Sequence, residues 1–340
     1  MKSKKVIIDC DPGIDDSLAL IYALNNPNFE VIAISLVAGN VAPEKGKDNV
    51  FRVLELLDRT DIPVWYGAEK PLKVEYTSAE DTHGQDGLGE TFIPVNNEHK
   101  LVPWDRNKTL FTTFLDYGEN VSFITLGPLT NMAHFFGQFP GFMSSVVDFT
   151  MMGGNYKSHG NCSQLAEYNF WCDPDAAEYM FPVFSHSNKK ATVVPLDATR
   201  KIVLTDKIID LIKNFNPKIG DFIYKITRFY MDFHKKYERI DGCVINDPLA
   251  ISIAIHPEFV IKTINAYVDV VTEGKARGVM LVDKMNFYHK RRNARLVLDI
   301  DVEKFFTDYI ATICQVSEEE VIKEAKARKI NFNYKYPYEI

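Results

Sequence analysis

The sequence predicts an α/β fold: a single domain over residues 1–340, built on a mainly parallel sheet with helices on both faces, of the open doubly wound type. Three observations carry this expectation. Short apolar runs alternate with helix-length amphipathic segments through the first half, the pattern of parallel strands joined by crossover helices. Polar residues gather just after several of those runs, where such sheets hold their ligands. No stretch rich in Pro, Gly or Ser divides the chain, and no repeat or low-complexity tract interrupts it.

Val6, Ile7 and Ile8 form the first apolar run, a short buried strand by pattern. Pro12-Gly13 then turns the chain, and residues 17–24 read as a helix through Leu18, Leu20, Ile21 and Leu24. Residues 31–37 form a second strand that ends in Ala38-Gly39-Asn40. The segment 42–57 is helical, with Val50, Val53, Leu54 and Leu57 on one side. Further strands are expected at 62–65, 121–125, 146–152 and 192–196, and a helix runs from Leu129 after Leu126-Gly127-Pro128. The second half is more helical, at 206–215, 219–236, 248–254, 301–314 and 317–328, with strands at 263–271 and 294–298.

Bulk composition narrows the class. The chain is 46% hydrophobic and 25% charged, which is ordinary for a globular protein. Its net charge of -7 and the lack of a dense Lys/Arg stripe argue against a nucleic-acid partner. The start Met-Lys-Ser-Lys-Lys is charged, but only three apolar residues follow before Asp9, too few for an export signal. No stretch reaches membrane-span length, so no membrane partner is expected. Cys10, Cys162, Cys172, Cys243 and Cys314 are scattered and never in a Cys-x-x-Cys pair. They read as free thiols in a reducing compartment, which fits a cytoplasmic enzyme.

The segment Asp9-Cys-Asp-Pro-Gly-Ile-Asp-Asp16 carries the chemistry. Four carboxylates, Asp9, Asp11, Asp15 and Asp16, crowd the junction of a strand end and a helix start. Charges so close repel unless something positive sits among them. An oxygen-seeking cation such as calcium or magnesium is the simplest partner, since zinc would want His or Cys. Helix capping accounts for Asp15 or Asp16, but not for Asp9 and Asp11.

Other polar groups are sparser. His83-Gly-Gln-Asp-Gly-Leu-Gly89 is a Gly-rich loop with one His, whose glycines suit a mobile lid. Asn161, Glu167 and Asn169 follow Met152-Gly-Gly-Asn155 and could grip the vicinal hydroxyls of a sugar. Asp173 caps a helix with Pro174 at its first position, and so stands outside the site. Asp247 also opens a helix, either as a cap before Pro248 or as the distant acid that would close a metal site begun by Asp11 and Asp16.

Together these residues resemble the calcium-dependent nucleoside hydrolases, the inosine–uridine-preferring ribohydrolase family. The likeness runs from Asp9–Asp16 through Gly39-Asn40, His83-Gly, Leu126-Gly-Pro-Leu-Thr-Asn131, Met152-Gly-Gly154, Ala166-Glu-Tyr-Asn169, Asp173-Pro-Asp-Ala-Ala177 and Asp247-Pro-Leu-Ala250 to Leu298-Asp-Ile-Asp-Val302. The resemblance implies hydrolysis of the N-glycosidic bond of ribonucleosides to free base and ribose, in nucleoside salvage. It implies one Ca²⁺ held by Asp11, Asp16, Asp247 and the Leu126 carbonyl, with Asp9 orienting its neighbours. Asp15, Asn40, Met152, Asn161, Glu167 and Asn169 would hold the ribose. Asp11 would be the general base for the attacking water, and His83 a second catalytic group near the base. A homodimer or homotetramer is implied as well.

One position departs from the family. Some members carry a His immediately before the last metal Asp, placed to protonate the leaving base; here Asn246 stands there and cannot act as an acid. Tyr237, Arg239, His234 and His83 are the candidates for that task. Two rival readings remain: a calcium-dependent nucleoside or ribose sensor without turnover, and a magnesium phosphohydrolase with Asp9 as nucleophile. The second lacks phosphate-binding Ser/Thr and Lys at later strand ends.

Overall fold

β1 (Lys4–Cys10) is the axis of the molecule. In the computed structural model, which describes residues 3–95, 101–103 and 120–337, it lies between β2 (Phe29–Leu36) and β5 (Val121–Thr125), parallel to both. Beyond β2 stand β3 (Val64–Tyr66) and β4 (Leu101–Pro103), also parallel. Beyond β5 stand β6 (Phe149–Met152) and β7 (Ala191–Val194). The short β8 (Val203–Leu204) and β9 (Cys243–Val244) pair apart from this sheet. β10 (Val260–Val270), β11 (Met280–Asp283) and β12 (Ala294–Ile300) close the far edge. The strand order is β11-β10-β12-β7-β6-β5-β1-β2-β3-β4, with β12 parallel to β7 and β10 antiparallel to both β12 and β11.

The chain builds outward from β1 to β4 and then returns to lay β5 on the other side of β1. The order therefore reverses between β1 and β5, and their carboxyl ends open a crevice there. Cys10 ends β1 and Thr125 ends β5, with Asp9 opposite Thr125 and Ser35 in register.

Both faces of the sheet are covered, as the sequence predicts. Val6, Ile8 and Cys10 point into one core with the helices Ile14–Asn25, Asp247–Ile255 and Val302–Cys314. Ile7 and Phe123 point into another, with the helices Thr130–Gln138 and Pro174–His186. That split follows from the two-residue period of a strand. Among the described residues, no helix is long and apolar enough to cross a membrane.

Several boundaries differ from the sequence reading. The strand expected from 146 begins only at Phe149, because Pro140–Ser145 winds into a 3₁₀ helix first. The strand expected to reach 196 stops at Val194, since Pro195 has no N–H for the ladder and Leu196 opens the helix Leu196–Thr199. β4, β8, β9 and β11 have two to four residues each, too short for a periodic signal.

Phe123 sits in the middle of β5 with no exposure, its ring against Phe136 and Phe149. Phe123→Ala should cost about 3–5 kcal/mol of stability through the cavity it leaves. Denaturant unfolding checks this, and a loss under about 1 kcal/mol would mean that the core around β5 can collapse.

Candidate functional site

Five carboxylates are buried at the carboxyl end of β1: Asp9, Asp11, Asp15, Asp16 and, from the start of a distant helix, Asp247. Neutral donors hold them. The Asn131 amide donates to Asp9 Oδ1 at 2.7 Å. Asp16 Oδ1 accepts from the Asp11 backbone N–H at 3.2 Å. Asp16 Oδ2 accepts from the Gly13 N–H and the Asn40 amide, both at 3.0 Å. Asp11 Oδ2 accepts from the Asn40 N–H at 2.6 Å.

The electrostatics follow from burial and crowding. Burial lifts Asp9 to about 7, against the opposing bond from Asn131. Burial and then the charge of Asp15 lift Asp16 to about 6. Asp11 is pushed well above the usual carboxylate range by burial and by Asp16. Asp247 is pushed the same way by burial and by Asp15. All four directions record the cost of a negative charge held away from water, and those of Asp11, Asp16 and Asp247 also record neighbours of the same sign.

Among the described residues, Asp15, Asp16 and Asp247 bring one carboxylate oxygen each within 4.8 Å of one another. This trio differs from the expected ligand set, having Asp15 in it and not Asp11. The reason is local: Asn40 holds Asp11 Oδ2, and Asp11 Oδ1 turns toward Gly127, where an added Cβ would lie 2.4 Å from it. The Leu126 carbonyl accepts from the Asn169 amide at 2.6 Å. Asp11 Oδ1 and Asp15 Oδ1 are buried with no hydrogen-bond partner among the described residues. An all-oxygen donor set with orphaned carboxylate oxygens fits a hard cation such as Ca²⁺ or Mg²⁺. Asp247 lies within the first turn and the residue before it makes no side-chain cap, so capping does not explain that acid.

Above the acids opens a cavity of about 590 Å³. Asp15, Asn40, His83, Leu126, Met152, Asn161, Glu167, Asn169 and Asp247 line it, and Asp11 and Asp16 lie beneath the lining. The structure thus gathers the expected sugar-binding residues at one opening, though several have other work. Glu167 caps the helix Tyr168–Cys172, accepting from the Asn169, Phe170 and Gly154 N–H groups. Asn161 accepts from the Tyr168 N–H at 2.9 Å. Asp173 caps its helix through the Ala176 N–H and stays outside the cavity, as the sequence predicts.

His83 ends the short helix Glu80–His83 rather than standing in an open loop. Its Nδ1 accepts from the Ile14 N–H at 3.1 Å, so the proton of the neutral ring sits on Nε2. The Gly-rich segment that follows is not a free flap. Leu88 is fully buried, and a Cβ on Gly89 would meet the Ile226 carbonyl at 2.5 Å.

The long helix Pro217–Glu238 supplies Tyr230 and Phe233, which the sequence reading missed, beside the candidates His234 and Tyr237 that it named. Tyr230 stacks on His83 with ring centroids 5.2 Å apart and meets His234 edge-on at 4.4 Å. Its hydroxyl donates to Asp15 Oδ2 at 3.3 Å, and the Asn246 amide donates to the same oxygen at 3.0 Å. Burial depresses both histidines, so the rings are neutral near neutral pH. Phe233 and Tyr237 also line the cavity, whereas Arg239 is not among its lining residues. The one available sequence signal was the Tyr230–His234 spacing of one helical turn.

Comparison with known proteins gives the same picture. The family model described as inosine-uridine preferring nucleoside hydrolase matches residues 6–307. The pyrimidine-specific ribonucleoside hydrolase RihA of Klebsiella pneumoniae is 34% identical over 304 residues, covering 88% of this chain and 95% of that one. RihA of Salmonella typhimurium is 34% identical with the same coverage. Among solved structures, the plant nucleoside hydrolase PpNRh1 superposes with a TM-score of 0.84 at 28% identity, covering 92% of this chain and 99% of that one. The purine-preferring ribonucleoside hydrolase from Gardnerella vaginalis gives a TM-score of 0.84 at 28% identity, covering 93% and 100%.

Glu167 allows a pH test of the site. Burial, opposed by its three N–H bonds, raises it from 4.5 to about 7. A raised carboxyl contributes stability that is whole below its unfolded value and lost as pH rises through its folded value. The Tm of the wild type minus that of Glu167→Gln should therefore fall between pH 4.5 and about 7. A difference that rises over this window would mean that Glu167 is ionised throughout.

Proposed function

The chain belongs to the inosine-uridine preferring nucleoside hydrolase family, and we propose on that premise that its reaction is Ca²⁺-dependent and serves nucleoside salvage. It is a ribonucleoside hydrolase, an enzyme that cleaves N-glycosidic bonds. The observation that carries the calcium reading is the buried trio Asp15, Asp16 and Asp247 with the orphaned oxygens of Asp11 and Asp15 beside it. Asp11, Asp16, Asp247 and the Leu126 carbonyl are the proposed ligands. When bound, the cation would fix the ribose hydroxyls and raise the acidity of a water.

The chain's own groups do the rest. Asp11 is the general base: its Oδ1, beside the proposed cation, has no hydrogen-bond partner among the described residues and is left to take a proton from a water. Tyr230 and Asn246 fix one oxygen of Asp15 and leave Oδ1 open to accept from a ribose hydroxyl. Asn40, Met152, Asn161, Glu167 and Asn169 complete the ribose end. Positive charge grows on the sugar ring as the bond breaks, and the carboxylates beneath stabilise it. Asn246 spends its amide on Asp15, so the proton for the leaving base comes from elsewhere. His83, neutral and with its Nδ1 taken by the Ile14 N–H, presents its Nε2–H at the cavity wall as a hydrogen-bond donor to the base rather than as an acid.

Pyrimidine ribonucleosides are the proposed best substrates, because the RihA relatives are named pyrimidine-specific. A purine preference is the second reading, favoured by the name of the Gardnerella vaginalis hydrolase. The relatives compared are hydrolases by name, which favours turnover over a sensor role. Assembly as a homodimer or homotetramer, and a cytoplasmic location, complete the proposal.

Ribose release from uridine, cytidine, inosine and adenosine, each with Ca²⁺ and with excess chelator, tests the reading. We expect release that chelator abolishes, with pyrimidines ahead of purines by about tenfold or more in kcat/KM, or ~1.4 kcal/mol. Release untouched by chelator would remove calcium, and equal rates would remove the base preference. Asp11→Asn should lower kcat by about 10²–10⁴-fold. A loss under about tenfold would take Asp11 out of the base role.

A further inference from the structure

Three residues lining the cavity come from three separate segments: His159 from the loop after β6, Arg200 from the end of the helix Leu196–Thr199, and Glu238 from the end of the helix Pro217–Glu238. They meet at one side chain of the C-terminal tail, Tyr336, which is 5% exposed. Its hydroxyl donates to Glu238 Oε2 at 2.9 Å and lies 3.2 Å from His159 Nε2. The Arg200 guanidinium sits 5.3 Å from the centre of its ring.

Arg200 is itself buried and fully engaged. It donates to the carbonyls of His159 at 2.5 Å and Gly160 at 3.0 Å, to Ser158 Oγ, and lies 3.7 Å from Glu238 Oε1. A buried cation holds its place only while its partners are held. Tyr336 closes that shell from outside, and Tyr334 anchors the tail by accepting from the Asp241 N–H at 3.1 Å. Val203, Ile240 and Val244 pack around Tyr336. The tail lies beyond residue 307, where the family match ends.

We propose that Tyr336 is a positioning residue for the nucleoside base. It touches no substrate. It ties the end of the helix that carries Tyr230, Phe233, His234 and Tyr237 to the loop at 158–160, and so sets the width of the cavity above the acids. Displacement of such a wall by about 1 Å is enough to weaken substrate positioning. The assignment rests on the hydrolase reading of this cavity.

The test uses the full chain with Ca²⁺ present and compares Tyr336→Ala and Tyr336→Phe with wild type. The readouts are kcat and KM for the best nucleoside, inhibition by free ribose, and hydrogen exchange by peptide. Tyr336→Ala should raise KM about tenfold and leave kcat within about threefold. Exchange should quicken in residues 155–163 and 228–241 and stay unchanged in 4–25, with ribose inhibition also unchanged. Tyr336→Phe keeps the ring under Arg200 and should fall between the two. Unchanged KM and exchange in Tyr336→Ala would overturn the proposal. So would faster exchange throughout with ribose inhibition weakened in step, since that is general loosening. If the wild type released no ribose, the hydrolase reading would fall, and the exchange pattern would still decide whether the tail holds the wall.

Discussion

The structure depends on how it holds five carboxylates together in a dry place. Two unit charges 4 Å apart repel by about 4 kcal/mol at the effective dielectric of a protein. The donors that meet these acids are all neutral: backbone N–H groups of Asp11, Gly13 and Asn40, amides of Asn40, Asn131 and Asn246, and the Tyr230 hydroxyl. They fix where each oxygen points without cancelling its charge. The upward shifts of Asp9, Asp11, Asp16 and Asp247 are the residue of that imbalance. A hard cation would remove the imbalance and leave the donor scaffold intact, which is the physical case for the calcium proposed above.

The topology explains why the acids can be gathered at all. At the reversal between β1 and β5, the helix after β1 packs into one core and the helix after β5 into the other, leaving room between the strand ends. Asp11, Asp15 and Asp16 descend from the end of β1, the Leu126 carbonyl from the end of β5, and Asn40 from the turn after β2. Asp247 arrives from far along the chain because its helix packs against the first helix, Ile14–Asn25. Both helices send apolar side chains into the same core, among them Leu18, Ile21, Leu249 and Ile253, so burial of ordinary hydrophobic surface fixes the position of a charged group.

This division shows what the sequence could disclose. The cluster Asp9–Asp16 was legible because the acids are adjacent in the chain and sit between a strand pattern and a helix pattern. Asn40, Asn169 and Asp247 were legible through motifs at strand and helix ends. That Asp15 would lie in the close trio with Asp16 and Asp247 was not, because the approach of carboxylate oxygens from separate segments depends on the packed fold. Nor was the role of Glu167 as a helix cap, since the same residue type serves sugar and backbone alike. Tyr230 was hidden for a different reason. Helical periodicity marks a buried face, and whether that face meets a core or a cavity is decided by His83 and Asp15, more than a hundred residues away.

The two ends of the cavity are therefore built by different means. The proposed ribose end rests on strand ends, where main-chain ladders and a shared donor scaffold leave little freedom. The proposed base end rests on one long helix, a short helix ending in His83, and side chains that close on one another: Tyr230 between two neutral histidines, Glu238 against Arg200. Asn246 stands at the join. A His there could give a proton to the base, whereas the amide instead serves Asp15 and so belongs to the ribose end. On the proposed reading, assistance to the leaving group falls to the helix side of the cavity. A family can then keep its sugar chemistry constant while the base it accepts varies: among the described residues of the helix Tyr230 bonds to Asp15, whereas Phe233, His234 and Tyr237 line the cavity without a hydrogen bond to the acids beneath β1.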